Sequence, residues 1–300
     1  MLWVFRFFSV WPLWALHAIG GAMGWLVWAL SPRYREQFRA NSQQAGLAFE
    51  RVRPAIAETG RFVAELPRLW MRPPGESALG NVSIDGQTHV TTAFAQGSGV
   101  IFFSAHCGSF ETAPQALAEL FGPITAIYRP ARKAWLARLE TIARNRPNLT
   151  VLPASLSGIR QMHRALRANQ AVALLTDQVP PEGQGVWSPF FGKPAYTMTL
   201  AARLALQNGA SLLPVSCDRL PGGHGYALRI WPALHLPIVA SRSVDAEALL
   251  QAVTQVNQAV EAIVLAQPGQ YLWAYARYKQ PRSGAATEAS PDEKPLQGSL

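Results

Sequence analysis

The chain has 300 residues, enough for one large domain or two ordinary ones, with a core that needs no disulfide or metal staple. Apolar residues make up 49% and charged residues 15%, which excludes a mostly disordered chain. The net charge of +9 favours anionic partners, and two cysteines, Cys107 and Cys217, with no Cys-x-x-Cys spacing exclude a disulfide framework and structural zinc.

Residues 7–32 carry no Asp, Glu, Lys or Arg. As one helix this run is about 39 Å long, whereas a bilayer core needs about 20 residues. Pro12 suits the first turn, where its missing N–H costs little. Gly20 and Gly24 form a small-residue face suited to close packing on another helix or on lipid. Residues 1–32 therefore read as a membrane anchor or an interfacial helix, with a buried core helix as the alternative. A signal peptide would have a shorter apolar region and a small-x-small cleavage site. Arg33, Arg35 and Arg39 follow the run and Arg6 precedes it, so the positive-inside rule puts the body of the protein in the cytoplasm. The basic balance suits a surface of anionic lipids.

Residues 33–280 read as a single α/β domain. Residues 35–69 are rich in helix formers. Residues 75–99 are turn-rich, with short strands expected around 82–84 and 89–93. Val100–Ser104 is an apolar strand, followed by a helix over 112–121 that stops at Gly122. Ile124–Tyr128 is a second strand, with helices over 134–144 and 155–168, and Ala171–Leu175 is a third strand. Residues 178–194, rich in Pro and Gly, read as a loop. A helix over 198–207, extended chain over 212–216, a strand over 226–231 and a long helix over 246–265 complete the pattern. Strands alternating with helices predict a mainly parallel central sheet covered by helices on both faces. Residues 281–300 read as a disordered tail.

The chemistry gathers where strands end, because open parallel sheets bind ligands at that edge. In the segment VIFFSAHCGSFE, His106 lies just past a strand, and Glu111 lies near the start of the next helix, where the helix dipole favours a carboxylate. Gly108 permits the tight return between them. A carboxylate on one ring nitrogen fixes the tautomer and leaves the other nitrogen free to take a proton. The bland alternative is a capping histidine and an ordinary first-turn glutamate. Cys107 reads as packing rather than as a nucleophile, and there is no Gly-x-Ser-x-Gly elbow. Arg129 and Asp177 end two further strands on the same edge. Most of the basic residues over 129–167 read as solvated face. Nucleic acid is not expected as a partner, because aromatic interleaving is poor. The segment WSPFFG, with Phe190, Phe191 and Gly192, is either a wall for an acyl chain, a membrane-dipping surface, or a loop covering the core.

These residues carry a resemblance to the late acyltransferases of lipid A biosynthesis, within the wider group of glycerolipid-type acyltransferases. HCGSFE matches the His-x-x-x-x-Asp/Glu signature at His106 and Glu111. Tyr128, Arg129 and Pro130 match a Tyr-Arg-Pro block, and Arg144 and Arg146 an Arg-x-Arg stretch. Asp177 and Gln178 match an Asp-Gln pair, and Phe190 to Gly192 a Phe-Phe-Gly loop. Asn257, Glu261, PGQYLW, Arg277 and Lys279 match the C-terminal blocks. The chain departs at Ser109 and Phe110, where members often have Asn before an aromatic, and at Tyr275, where they commonly have His.

The resemblance implies transfer of a fatty acyl group from acyl carrier protein or acyl-CoA to a hydroxyl of a lipid A precursor. The reaction would take place at the cytoplasmic face of the inner membrane. It implies His106 and Glu111 as catalytic residues, with Glu111 orienting His106. Arg129, Arg144, Arg146, Asp177, Phe190, Phe191 and Gly192 would bind substrate, with no metal or other cofactor. The two departures motivate a second reading, the same chemistry on a phospholipid, an amino-acid-derived lipid or a specialised glycolipid. A catalytically inactive membrane scaffold and a thioesterase are the remaining alternatives.

Overall fold

The computed structural model describes residues 2–73, 75–128, 139–140, 142–143, 146–238 and 244–282. The N-terminal apolar run is two helices, α1 (Leu2–Ser9) and α2 (Leu13–Leu30). Pro12 lies just before α2 in extended backbone and separates the two. The helical stretch expected over 35–69 is three helices: α3 (Pro32–Gln44), α4 (Phe49–Val52) and α5 (Pro54–Met71). Gly46, at φ +67°, turns the chain after α3.

The rest alternates as expected. In chain order it comprises β1 (Val82–Asp85), α6 (Gln87–Ala95), β2 (Val100–Ser104), α7 (Ala113–Phe121), β3 (Ile124–Tyr128) and β4 (Leu149–Pro153). These are followed by α8 (Leu156–Arg167), β5 (Ala171–Leu175), β6 (Gly185–Phe190), β7 (Lys193–Met198), α9 (Leu200–Asn208), β8 (Ser211–Arg219), β9 (Tyr226–Ile230) and α10 (Ala246–Ala266). The strand expected at 89–93 is instead part of α6. Its Val90 and Ala93, three residues apart, are both buried, so burial at helical spacing overrides local strand preference. Strand β4 escapes the sequence pattern because it is a half-buried edge strand paired with β3 alone. The loop expected over 178–194 contains the β6–β7 hairpin. The helix expected over 134–144 lies largely outside the described residues, as does the tail from residue 283 onward.

Seven strands form one sheet in the order β1-β9-β8-β2-β5-β3-β4. Only the β8–β9 pair is antiparallel, so the sheet is mainly parallel, as expected. Strand β2 is buried along its whole length, and its side chains alternate between two cores. Ile101 and Phe103 join Val172, Met162 of α8 and Val256 of α10 on one face. Val100 and Phe102 join Val90 of α6 and Leu117 of α7 on the other. A strand buried on both faces reads as a continuous apolar run, which is why VIFFS stands out in the sequence.

Helix α2 lies against α5. Leu13, His17, Gly20 and Gly24, at helical spacing, form its buried face. A Cβ on Gly20 would collide with the backbone of Gly60 and Arg61, and one on Gly24 with the backbone of Ile56. The small-residue face read from the sequence is therefore where two helix backbones meet. The opposite face, Ile19, Met23, Leu26 and Leu30, is exposed. Both α2 and α10 are long and apolar enough to cross a membrane, which is consistent with membrane association. Helix α10 is half buried and supplies core residues.

Candidate active site

Strands β2 and β5 are parallel neighbours, in a register that pairs Ser104 with Leu175. Beyond this pair the Thr176 amide still donates to Ser104 O at 3.0 Å. The chain then delivers His106 and Asp177 side by side. His106 Nδ1 lies 2.7 Å from Asp177 Oδ1, and the His106 amide donates to Asp177 Oδ2 at 3.0 Å. One carboxylate thus holds both the ring and the backbone of His106, and Nδ1 is the protonated nitrogen.

Burial pulls the imidazole down, but the Asp177 charge and hydrogen bond, with the Glu111 charge behind them, overcome this and hold it above its ordinary value. Burial likewise pushes Asp177 up, and the charge and hydrogen bonds of His106, with Arg277 beyond, bring it below the ordinary carboxylate range. Nε2 of the ring meets Gln178 Nε2 at 3.0 Å. An amide donor there is what an unprotonated Nε2 accepts. Thr59, Leu272 and Tyr275 join His106, Asp177 and Gln178 around an open pocket of about 160 Å³. The Tyr275 hydroxyl accepts from the Val179 amide at 2.9 Å, so this residue holds the Asp177–Gln178 segment in place.

The partner of Nδ1 is therefore Asp177, where the sequence pointed to Glu111. Glu111 Oε2 accepts from the Trp70 indole at 3.1 Å, and its charge reaches the ring from there. Gly108 makes the intervening turn at φ +61°, and a Cβ on it would collide with the Cys217 carbonyl. Cys107 is buried, and desolvation pushes its thiol far above the ordinary range, in keeping with packing.

Arg146 was expected on substrate but is turned inward. Its Nη1 donates to Arg72 O at 2.6 Å and its Nη2 to Leu69 O and Trp70 O at 2.9 and 3.0 Å. These are the last carbonyls of α5, which helices leave without internal partners. Arg129, Pro130 and Arg144 lie outside the described residues. Phe191 and Gly192 are the two turn residues of the β6–β7 hairpin, at φ +46° and +73°. Phe190 is buried in the core, under Arg277 at 4.9 Å from its ring centroid. Of the three readings of WSPFFG, the core-covering one fits Phe190. Arg277 donates to Tyr196 O and Thr197 Oγ1 at 2.9 and 2.7 Å, Asn257 to Pro189 O at 2.8 Å, and Glu261 accepts from the Phe191 amide at 2.6 Å. The C-terminal motif residues Asn257, Glu261 and Arg277 thus pin the hairpin.

A buried ionic cluster escaped the sequence reading. Glu65 of α5 is fully buried and accepts from Arg219 Nε and Nη2 at 2.9 and 2.8 Å, from His17 at 3.0 Å, and from Ser109 Oγ at 2.7 Å. Burial pushes its carboxyl up, and Arg219 with these donors brings it below its ordinary value. The cluster joins α2, α5, β8 and the turn after His106. Glu58, seven residues before Glu65 on the same face of this amphipathic helix, lies 3.5 Å from Arg219 Nη1, and that spacing is the cluster's only signal in the sequence.

A carboxylate-held imidazole at the open edge of an α/β sheet is an arrangement able to take a proton from a hydroxyl, which fits an enzyme of the transferase or hydrolase class. Residues 1–280 match the family described as bacterial lipid A biosynthesis acyltransferase, and the chain belongs to that family. It is similar to a lipid A biosynthesis lauroyltransferase of Escherichia coli, 28% identical over 77% of this chain and 70% of the relative. A phosphatidylinositol mannoside acyltransferase of Mycobacterium tuberculosis is 30% identical over 50% of this chain and 48% of the relative. A lipid A biosynthesis acyltransferase of Haemophilus influenzae is 26% identical over 63% of this chain and 56% of the relative. The chain is thus a member of an acyltransferase superfamily that transfers acyl groups to lipid acceptors.

Proposed function

We propose that this protein transfers a fatty acyl group from a thioester, carried by acyl carrier protein or coenzyme A, to a hydroxyl of a lipid A precursor. The observation that carries the reading is the His106–Asp177 pair, whose Nε2 faces an open pocket. Nε2 takes the proton of the acceptor hydroxyl as its oxygen attacks the thioester carbonyl. The imidazolium that forms is stabilised by Asp177, and it returns the proton to the departing thiolate. Substrate displaces Gln178 from Nε2. Glu111 adds negative charge near the ring, and Arg146 supports Glu111 indirectly by holding the end of α5 that carries Trp70. Donor and acceptor held together gain orientation, and no acyl-enzyme is needed.

Lipid A as acceptor is supported by the family match over residues 1–280 and by several similar relatives whose names carry that substrate. The similarity to phosphatidylinositol mannoside acyltransferases supports a second reading, the same chemistry on another phosphorylated glycolipid. In either case residues 1–32 hold the enzyme at the cytoplasmic face of the inner membrane, with residues 33–280 as the catalytic domain. Product identification by mass spectrometry tests this, with purified protein, acyl carrier protein and acyl-CoA donors and both acceptor classes. One added acyl chain on the lipid A precursor is expected. Acylation of the other glycolipid alone rejects the first reading, and free fatty acid as the only product rejects both.

A further inference from the structure

Lysine is scarce in this chain, four residues against 23 arginines. Two of the four, Lys193 and Lys279, fall among the described residues, and both line one open pocket of about 260 Å³. They reach it from distant parts of the chain. Lys193 opens β7 just past the hairpin turn, and Lys279 lies in the C-terminal segment two residues beyond Arg277. Gln37, Asn41 and Gln44 of α3 and Tyr278 complete much of the wall, and among the described residues none of the lining side chains is acidic.

The frame is held by bonds that leave the lysines out. Asn41 Nδ2 donates to Trp273 O and Tyr275 O, both at 2.6 Å, and Gln44 Nε2 donates to Phe191 O at 2.8 Å. These tie α3, the hairpin turn and the C-terminal segment together. Each ammonium rests over a tyrosine, Lys193 at 4.9 Å from the Tyr278 centroid and Lys279 at 4.6 Å from that of Tyr275. Tyr275 also lines the pocket at His106, so its ring links that pocket to Lys279.

We infer that this pocket binds the phosphate ester on the headgroup of the lipid acceptor, an inference that rests on the acyl-transfer reading. Two compact ammonium charges on a wall without carboxylates suit a phosphate, which takes point charges as well as forks. The inward turn of Arg146 leaves phosphate recognition to other cations, and this pair adjoins the His106 pocket through the Lys279–Tyr275 contact. A headgroup held there spends remote binding energy on orienting the hydroxyl at His106.

Calorimetric titration of the full-length protein in detergent micelles with dihexanoyl phosphatidic acid tests this, with dihexanoylglycerol as the uncharged control. The wild type binds the phosphatidic acid in preference to the control. The K193A/K279A double variant binds it at least about tenfold more weakly, the loss expected from one or two charge-assisted contacts. K193R/K279R retains most of the affinity, and H106A binds as the wild type does. Equal binding by wild type and K193A/K279A overturns the inference. So does a double variant that loses affinity for coenzyme A alone, which would assign the cations to the donor. Because binding is read without turnover, an inactive protein with an intact site rejects the acyl-transfer reading and leaves the pocket standing. Loss of the binding difference in an active enzyme does the reverse.

Discussion

His106 and Asp177 stand opposite one another on the continuation of the β2–β5 ladder, each two residues past the Ser104–Leu175 pair. The sheet register itself brings imidazole and carboxylate together, so neither depends on a flexible loop to find the other. D177N keeps the shape but removes the charge that favours the imidazolium. Its kcat is expected to fall by about 10²–10⁴, measured by acyl transfer with purified protein. H106A should lose at least as much. E111Q, whose carboxylate acts on the ring by charge from beside Trp70, should lose less than D177N.

The pH dependence follows from the direction of the His106 shift. Only the unprotonated ring accepts a proton, and Asp177 holds the ring above its ordinary value, so kcat/KM should rise with pH through a midpoint above that of an unperturbed imidazole. In D177N the main stabiliser of the charged form is gone, and the midpoint should move to lower pH while the plateau drops. A pH–rate profile of both proteins checks this, and a midpoint that does not move would remove Asp177 from its role.

The cluster around Glu65 predicts a stability effect. Glu65 and Arg219 are both buried, so removing Arg219 takes both guanidinium bonds from a buried carboxylate and leaves it only weaker partners such as His17 and Ser109. R219M is expected to cost about 3–5 kcal/mol, read from the midpoint of denaturant unfolding. E65L/R219L should cost less than R219M, because no buried charge is stranded.

The contact between α2 and α5 predicts a steric effect. G24V forces a side chain into the backbone of Ile56, so the helices must separate. The measurable result is a lower unfolding temperature with earlier protease cleavage of the N-terminal helices. M23V, on the exposed face of the same helix, should leave both near wild type.

That exposed face predicts how the protein meets a membrane. Met23, Leu26 and Leu30 are 50%, 57% and 73% exposed. L26E/L30E should weaken flotation with anionic vesicles without lowering the unfolding temperature, because neither side chain supports the fold. Unchanged flotation would place lipid contact elsewhere.

Much of the fold was legible because its signals are local. Three of the central strands, Val100–Ser104, Ile124–Tyr128 and Ala171–Leu175, have the bounds that their largely apolar runs suggest, since every residue in them is buried or half-buried. Strand β4 and helix α6 were not, because one is a half-buried edge and the other owes its form to what it packs against. His106 and Asp177 both stood out as strand-end residues, but which carboxylate meets the ring was not readable.

The amino-acid sequence by itself determined that the apolar N-terminal run is helical, the mainly parallel α/β sheet and the edge at which His106 and Asp177 gather, because periodicity and strand ends are properties of neighbouring residues. Only the tertiary structure decided that Asp177 rather than Glu111 holds the imidazole, that Arg146 caps a helix, and that Glu65 ties the apolar helix to the turn after His106. Those pairings join residues 44 to 77 positions apart, and which of them meet is set by strand order and helix packing, which no local pattern encodes.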